Sequence, residues 1–328
     1  MARVVRFHAF GGPDVLRVEE VEVPEPAPGE VRVDVAAIGL NRVEAIYRSG
    51  GFGPVSLPAR IGYEAAGIVE AVGPGTKGVA VGDKVAVLYG LSMEAYGTYA
   101  DRILYPADRL VRLPPQSSLV EAAASWMQYG TAYALVEVAR IAPGDHVVIT
   151  ASSSSVGVAA IQIAHAEGAI PVAVTRGRSK KSQLEAIGAS HVIVTDEEDL
   201  SSRLGAITGG AGVRVVFDAV GGQQLATLLP AMRPEGIAIF YGLMGGASME
   251  IPLAPVMLAN LTLRGWSANA VVDDPERRAA LVHYVSGGLE SGALRPVIAK
   301  TFALQDVAEA HRFMEGNSQV GKIVLVTR

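Results

Sequence analysis

Between residues 143 and 181 the chain reads PGDHVVITASSSSVGVAAIQIAHAEGAIPVAVTRGRSKK, and two groups within it could do chemistry. Ser152, Ser154 and Gly157 occupy the positions of a G-x-G-x-x-G turn, with serine replacing the first two glycines. A small residue lets backbone approach a phosphate, a hydroxyl adds a donor, and the free N–H groups of a following helix favour an anion. Ser153, Ser155 and Val156 complete the lining. Roughly 20 residues past the turn, where an Asp or Glu would hold a ribose 2′-hydroxyl, stand Thr175, Arg176, Gly177, Arg178, Ser179, Lys180 and Lys181. A carboxylate there would repel a 2′-phosphate, whereas a guanidinium binds one through two parallel hydrogen bonds. The expected chemistry is recognition of NADPH, with Arg176 nearest the strand end, Lys180 next and Arg178 after it. The plainer alternatives are a Ser-rich linker and a solvated basic helix start. A linker, however, does not sit tightly between a buried strand and an amphipathic helix.

The elements that must position these groups follow from periodicity. Residues 146–150 and 171–175 are short apolar runs that predict strands. Between them Val156, Ala160, Ile163 and Ala164 recur at helical spacing. The result is a βαβ unit. Helix-like and strand-like runs then alternate through LEAIG and HVIVT, LSSRLGAIT and RVVFDAV, LATLLPAM and GIAIFYG, ending near LTLRGW. Such alternation predicts an α/β fold with a doubly wound parallel sheet. The first part differs in texture. Short runs at 31–36, 67–72 and 84–87, broken by GPDVL, PEPAPGE and GPGTKGVAVGD, predict a β-rich domain. The closing run GKIVLVT is expected to return to it. The boundaries expected are 1–122 with 267–328 for the β-rich domain and 123–266 for the nucleotide-binding one.

Composition narrows the classes. With 328 residues and half of them apolar, the chain can bury a large core in two domains. A net charge of −5 leaves no footprint for nucleic acid or an anionic membrane. The absence of cysteine removes disulfides, thiol catalysis and Cys-ligated zinc. No cleavable signal opens the sequence and no apolar run reaches membrane-spanning length, so a cytoplasmic setting is expected. The six histidines are scattered without metal spacing and receive no role.

Taken in order, several segments resemble the medium-chain dehydrogenase/reductase superfamily in its zinc-free quinone oxidoreductase branch. They are AIGLNRVEAIYRSG, RIGYEAAGIVEAVGPG, VGDKV, WMQYGTAY, ASSSSVG, DAVGG, YG, LRGW and VGKIVL. The resemblance covers nearly the whole length. It implies a GroES-like β-rich domain and a Rossmann domain with the cofactor in the cleft between them. Zinc-dependent members carry Cys near Leu40 and Gly-His-Glu where this chain has Gly62-Tyr63-Glu64. Tyrosine keeps its proton to about pH 10 and is a poor zinc ligand. No metal is expected, and Glu64 is expected to brace the domain through hydrogen bonds.

The resemblance implies hydride transfer from NADPH to a quinone or another conjugated carbonyl, an enone or enal. Such an acceptor needs a hydrogen-bond donor for its developing oxyanion. Asn41 would sit at the nicotinamide edge. Tyr47 is the leading phenolic donor, although related enzymes carry tyrosine at the position of Ile46, about 100° away around a helix. Arg48 and Tyr63 are further candidates. Both tyrosines could equally be core residues, and Arg48 could pair with Glu44. Thr131 would back the nicotinamide, Asp218, Val220 and Gly221 would lie near adenine and ribose, and Tyr241, Gly242, Gly265 and Trp266 would approach the nicotinamide end. Lys322, in VGKIVL, joins the cofactor-binding set. A 2-enoyl thioester reductase is the alternative enzyme, but those relatives place a tyrosine a few residues after the R-x-G turn, and the nearest residue here is Phe52, which has no proton to give. A non-catalytic NADPH-binding protein is the alternative outside catalysis. The acceptor would meet the loops at 52–57, 88–96 and 266–272, where Tyr89, Met93, Tyr96 and Trp266 suggest an apolar cavity. A homodimer is expected, with YGLMGGASMEIPL supplying an edge strand.

Overall fold

The computed structural model describes residues 1–51, 54–246 and 248–328. They form two units, one of Met1–Met127, Val272–Pro275 and Pro296–Arg328, the other of Gln128–Val271 and Glu276–Arg295. The strands of the described residues are, in chain order, β1 (Ala2–Phe7), β2 (Leu16–Val21), β3 (Glu30–Gly39), β4 (Ala59–Arg60), β5 (Glu64–Val72), β6 (Lys84–Val87), β7 (Arg102–Pro106), β8 (Leu110–Arg112), β9 (His146–Ile149), β10 (Ile170–Thr175), β11 (His191–Val194), β12 (Val213–Asp218), β13 (Met232–Phe240), β14 (Thr262–Gly265), β15 (Ile298–Ala303) and β16 (Lys322–Val326).

The first unit contains a three-stranded sheet, β2-β1-β4, and a seven-stranded one, β15-β16-β3-β5-β6-β8 with β7 also on β3. Strand β3 organises the larger sheet. Its alternation buries Val31, Val33, Val35 and Ala37, the period of a strand with one face on a core. It pairs antiparallel with β5, β7 and β16, which gathers distant parts of the chain around one strand. At its end a Cβ on Gly39 would fall 2.2 Å from the Ala123 carbonyl and 2.7 Å from a Glu64 carboxylate oxygen. Only glycine lets the strand pass so close to its neighbours.

The second unit has one sheet, β11-β10-β9-β12-β13-β14, with all neighbours parallel. The order reverses direction between β9 and β12, the place where doubly wound sheets put their ligands. Strand β9 is HVVI and β10 is IPVAVT. Unbroken apolar runs suit strands covered on both faces. Val148, Val172, Val174, Ile193 and Val216 pack in one core with Leu204 and Leu225 of the helices Leu200–Thr208 and Gly222–Leu228.

Two sequence expectations are corrected. Residues 267–271 and 276–295 belong to the second unit and 123–127 to the first, whereas the pattern assigns 267–328 wholly to the first and 123–266 to the second. The cause is polar contact over long sequence distances. Arg277 grips Glu137 at 2.5 and 3.0 Å, Tyr284 donates to Glu167 at 2.7 Å, and the Gln162 amide ties both backbone groups of Arg295. The second correction is that the described residues of 241–252 form no strand. Glycines there fold onto the loop after β12. Gly245 N donates to Val220 O at 2.7 Å, and a Cβ on Gly242 would lie 2.2 Å from Ala219 O. The outer strand is β14 instead.

The helix Ser155–Ala166 begins under the turn after β9, where a Cβ on Gly157 would meet Ser152 Cα at 2.6 Å and Ala151 O at 2.7 Å. Backbone cannot yield as a flexible side chain does. Gly157→Ala is expected to destabilise the protein by roughly 1–3 kcal/mol through overpacking, read as a lower urea midpoint with an unchanged slope.

Candidate cofactor and acceptor sites

The turn after β9 starts with strain, because Ala151 takes a left-handed φ of 45°. Ser152 then donates to Ile149 O at 2.5 Å and accepts from Val174 N at 2.8 Å. Its hydroxyl is fully buried and stitches β9 to β10. Ser154 caps the helix Ser155–Ala166, its Oγ accepting from Gly157 N at 3.0 Å. Ser153 is half-buried and accepts from Lys180 Nζ at 2.9 Å. Ser155 and Val156 form the first turn, whose N–H groups have no intrahelical partner. The serines thus divide the labour: Ser152 is structural, Ser154 caps, and Ser153 faces the cations.

The basic residues beyond β10 are in three different states. Thr175 is buried, and its carbonyl accepts from Thr195 N at 2.9 Å. Arg176 is exposed and its guanidinium has no side-chain partner among the described residues. Lys180 is half-buried; burial and then the charge of Arg176 hold its ammonium below the usual lysine range. Two cations close enough to repel each other are relieved by an anion they share. Arg178 is already engaged, forking onto Glu197 with contacts of 2.9, 3.0 and 2.5 Å.

The remaining cofactor candidates of this unit line the C-terminal ends of β12, β13 and β14. Asp218 is fully buried, accepting from Thr150 Oγ1 at 2.6 Å and from Gly221 N at 2.5 Å. Burial raises its pKa against the lowering effect of those bonds. It shapes the turn through Val220 and Gly221, where φ is 65°, and its carboxylate is spent on that turn. Tyr241 stacks on Phe217 with ring centroids 4.3 Å apart, and burial keeps its phenol protonated. Gly242 touches the same turn, and a Cβ on Gly265 would lie 3.4 Å from the Phe240 ring. Thr131 is buried on the helix Trp126–Ala132. The indole nitrogen of Trp266 is buried with no acceptor among the described residues, a costly state. A tight turn beside two neighbouring cations fits a dinucleotide with an extra phosphate.

In the first unit two of the acceptor candidates, Asn41 and Tyr63, bond one buried carboxylate. Glu44 accepts from Asn41 N at 2.7 Å, Tyr63 N at 3.1 Å, Tyr99 Oη at 2.6 Å and Asn41 Nδ2 at 3.3 Å. Burial pushes its pKa up to about 7. The Asn41 amide is committed at both ends, since Nδ2 also donates to Gly39 O at 3.3 Å and Oδ1 accepts from Lys322 Nζ at 2.7 Å. Lys322 is itself buried, pairs with Glu64 at 2.6 Å and thereby belongs to this core. Glu64 further accepts from Met127 N at 3.0 Å, which makes it a brace. Arg48 does not reach Glu44; it donates to Gly11 O at 3.1 Å, His311 Nδ1 at 2.9 Å and Glu315 at 2.7 Å. The Tyr47 ring stands edge-on to Phe7 at 5.6 Å. The hydroxyls of Tyr47 and Tyr63 have no protein partner among the described residues. Burial raises both phenols, the charge of Glu94 adds to Tyr47, and that of Glu44 adds to Tyr63. Phe52 lies outside the described residues. Tyr89 and Met93 are buried, and Tyr96 donates to Glu30 at 3.1 Å. Among the described residues no three His, Cys, Asp or Glu side chains gather into a group able to hold a metal.

Sequence inspection misses His311, which has no motif around it. It is fully buried on the helix Val307–Glu315. Because Arg48 donates to its Nδ1, the ring must carry its proton on Nε2, which faces Tyr99 Oη at 3.1 Å. The bonds then run in one direction: Arg48 to His311, His311 to Tyr99, Tyr99 to Glu44.

Comparison with known proteins identifies the family of the chain. Residues 27–115 match the family model described as the alcohol dehydrogenase GroES-like domain, and 155–283 match that described as zinc-binding dehydrogenase. The chain is 32% identical to the 2-haloacrylate reductase of a Burkholderia species over 99% of this chain and 98% of that one. It is also 32% identical to quinone oxidoreductase 1 of Escherichia coli over 99% and 100%. The crystal structure of Escherichia coli quinone oxidoreductase complexed with NADPH superposes with a TM-score of 0.92 at 32% identity, covering 99% of this chain and all of the other. The chain belongs to the medium-chain dehydrogenase/reductase family. Within it, these full-length similarities place it beside the quinone oxidoreductases.

The buried titratable pair makes stability depend on pH with opposite signs. Burial, with the charges of Arg48 and Arg42, lowers His311 from 6.5 to about 3, so across that window the unfolded chain binds a proton that the fold refuses. Stability therefore falls as pH drops through it. Glu44, raised from 4.5 to about 7, holds a proton that the unfolded chain has lost, so its contribution falls as pH rises through that window. His311→Gln is expected to cost about 1–3 kcal/mol at pH 7 and progressively less toward pH 4, measured by urea midpoints. A penalty constant across pH would mean that the ring is not held neutral.

Proposed function

We propose that this protein is a zinc-independent oxidoreductase that uses NADPH to reduce a quinone or another conjugated carbonyl, an enone or enal. The observation that carries the proposal is the Arg176–Lys180 pair beside a serine turn, with no carboxylate in the place of an NAD-type acid. Full-length relatives named quinone oxidoreductase and 2-haloacrylate reductase support the acceptor class, since all those names denote electron-poor conjugated molecules.

When bound, NADPH supplies hydride. Ser154 and the first N–H groups of its helix hold the pyrophosphate, while Ser152 and Gly157 keep the turn rigid beneath it. Arg176 and Lys180 hold the 2′-phosphate. For the acceptor, the two uncommitted hydroxyls of Tyr47 and Tyr63 donate to the oxygen on which charge develops. Their raised pKa values keep them protonated, and therefore donors, at neutral pH. The committed Asn41 amide acts through Glu44 and Lys322, fixing the start of the helix Arg42–Arg48 that carries Tyr47. An acceptor already short of electrons needs no metal to polarise it. A cytoplasmic setting goes with this reading, and no nucleic acid or membrane partner is proposed.

Arg176→Gln is expected to raise the NADPH dissociation constant by roughly tenfold or more, the worth of a charge-assisted contact, and to leave NADH binding unchanged, as read by fluorescence titration. The wild-type protein should consume NADPH, followed by absorbance, only when a quinone or enone is present. Binding without any acceptor-dependent oxidation would leave a coenzyme-binding protein and remove the enzyme.

We also propose a homodimer built on the second unit. Strand β14 pairs only with β13 among the described residues, and an open edge invites a partner. The nearby helix Leu253–Leu258 leaves Leu253, Met257 and Leu258 more than 70% exposed, an apolar patch of the kind that marks an interface. Light scattering should give twice the chain mass, and Leu258→Glu should give one.

A further inference from the structure

The strand that follows the nucleotide-binding βαβ unit ends in an acidic run. Residues 195–199 are Thr-Asp-Glu-Glu-Asp, and backbone pairing lays them along the cationic run. Thr195 N donates to Thr175 O at 2.9 Å, and Asp196 N donates to Arg176 O at 3.2 Å. The four carboxylates are used differently. Asp199 caps the helix Leu200–Thr208, accepting from Ser202 N at 2.8 Å. Glu198 pairs with Arg203 at 3.0 Å and accepts from Val194 N at 3.1 Å. Asp196 points to no cation among the described residues. Glu197 alone reaches across, taking the Arg178 fork with both oxygens.

We infer that Glu197 is a specificity-determining residue, a built-in competitor that occupies Arg178 in the place where the coenzyme's 2′-phosphate binds. This rests on the NADPH reading above. The fork of Arg178 onto a carboxylate has the planar two-bond geometry that a phosphate would offer it. The Arg178 and Glu197 side chains are 75% and 37% exposed, so the pair sits in water. A water-screened pair is weak, and a dianionic phosphate bridging Arg176 and Lys180 outbids a single carboxylate for the third cation. The contact therefore does not block the site. It subtracts from the affinity of every 2′-phosphorylated coenzyme, reduced or oxidised, and leaves the non-phosphorylated ones alone. The expected consequence is faster release of NADP⁺ after turnover.

The test is a double-mutant cycle on the full protein, with dissociation constants for NADPH and NADH measured by fluorescence titration. Glu197→Gln should tighten NADPH by about two- to fivefold, the range of an exposed pair, with NADH unchanged. In an Arg178→Gln background the same change should have no effect. Equal tightening for both coenzymes, no tightening, or an effect that persists without Arg178 would each overturn the inference. If Arg176→Gln also leaves the NADPH-to-NADH ratio unaltered, the coenzyme reading itself falls. If Arg176→Gln abolishes the ratio and Glu197→Gln does nothing, only this inference falls.

Discussion

A carboxylate sealed from water is the constraint around which the first unit is arranged. Glu44 is fully buried, and a buried anion without donors would be expelled or protonated. Four hydrogen bonds offset part of that cost, two from Asn41, one from the backbone of Tyr63 and one from Tyr99, and burial still raises its pKa to about 7. Satisfying Glu44 therefore fixes where the helix carrying Tyr47 begins and where the loop carrying Tyr63 passes. Lys322 and Glu64 extend the same logic, each the counterion of the other. Removing one member of a buried pair strands its partner, which costs far more than the pair contributes.

The second unit solves a different electrostatic problem in a different medium. Its cations lie at or near the surface, and they differ in how exposed they are and in what they face. Arg176 and Lys180 are close enough to disfavour each other's charge, while Arg178 is matched. Glycine and serine meanwhile exchange roles in the turn. The fingerprint keeps glycine where backbone would collide, at Gly157, and uses serine where a hydroxyl can sew strands together, at Ser152.

What was legible in the sequence was local and periodic. The βαβ unit, the parallel sheet, the serine turn and the basic run all lie within stretches whose spacing shows their geometry. The partners of the buried polar groups lie far apart in the chain, and no periodicity displays them. Lys322 reads as a residue beside a closing strand until it is found between Asn41 and Glu64. His311 carries no motif, and Arg48 turns from the nearby Glu44 to groups on other elements because the helix Val307–Glu315 packs against it. Asp218 sits at the expected strand end, yet its carboxylate faces inward to the turn, a direction that spacing along β12 does not fix. The tail divides between units because of hydrogen bonds from Arg277, Tyr284 and Gln162 that composition cannot show.

Glu64 and its counterion are separated by 258 positions. On a ribosome adding about 5–20 residues per second, that interval is roughly 13–50 s. During that time Glu64 lacks its counterion, and the residues of the second unit are made. The buried ion pair of the first unit is therefore among the last of its contacts that synthesis makes available.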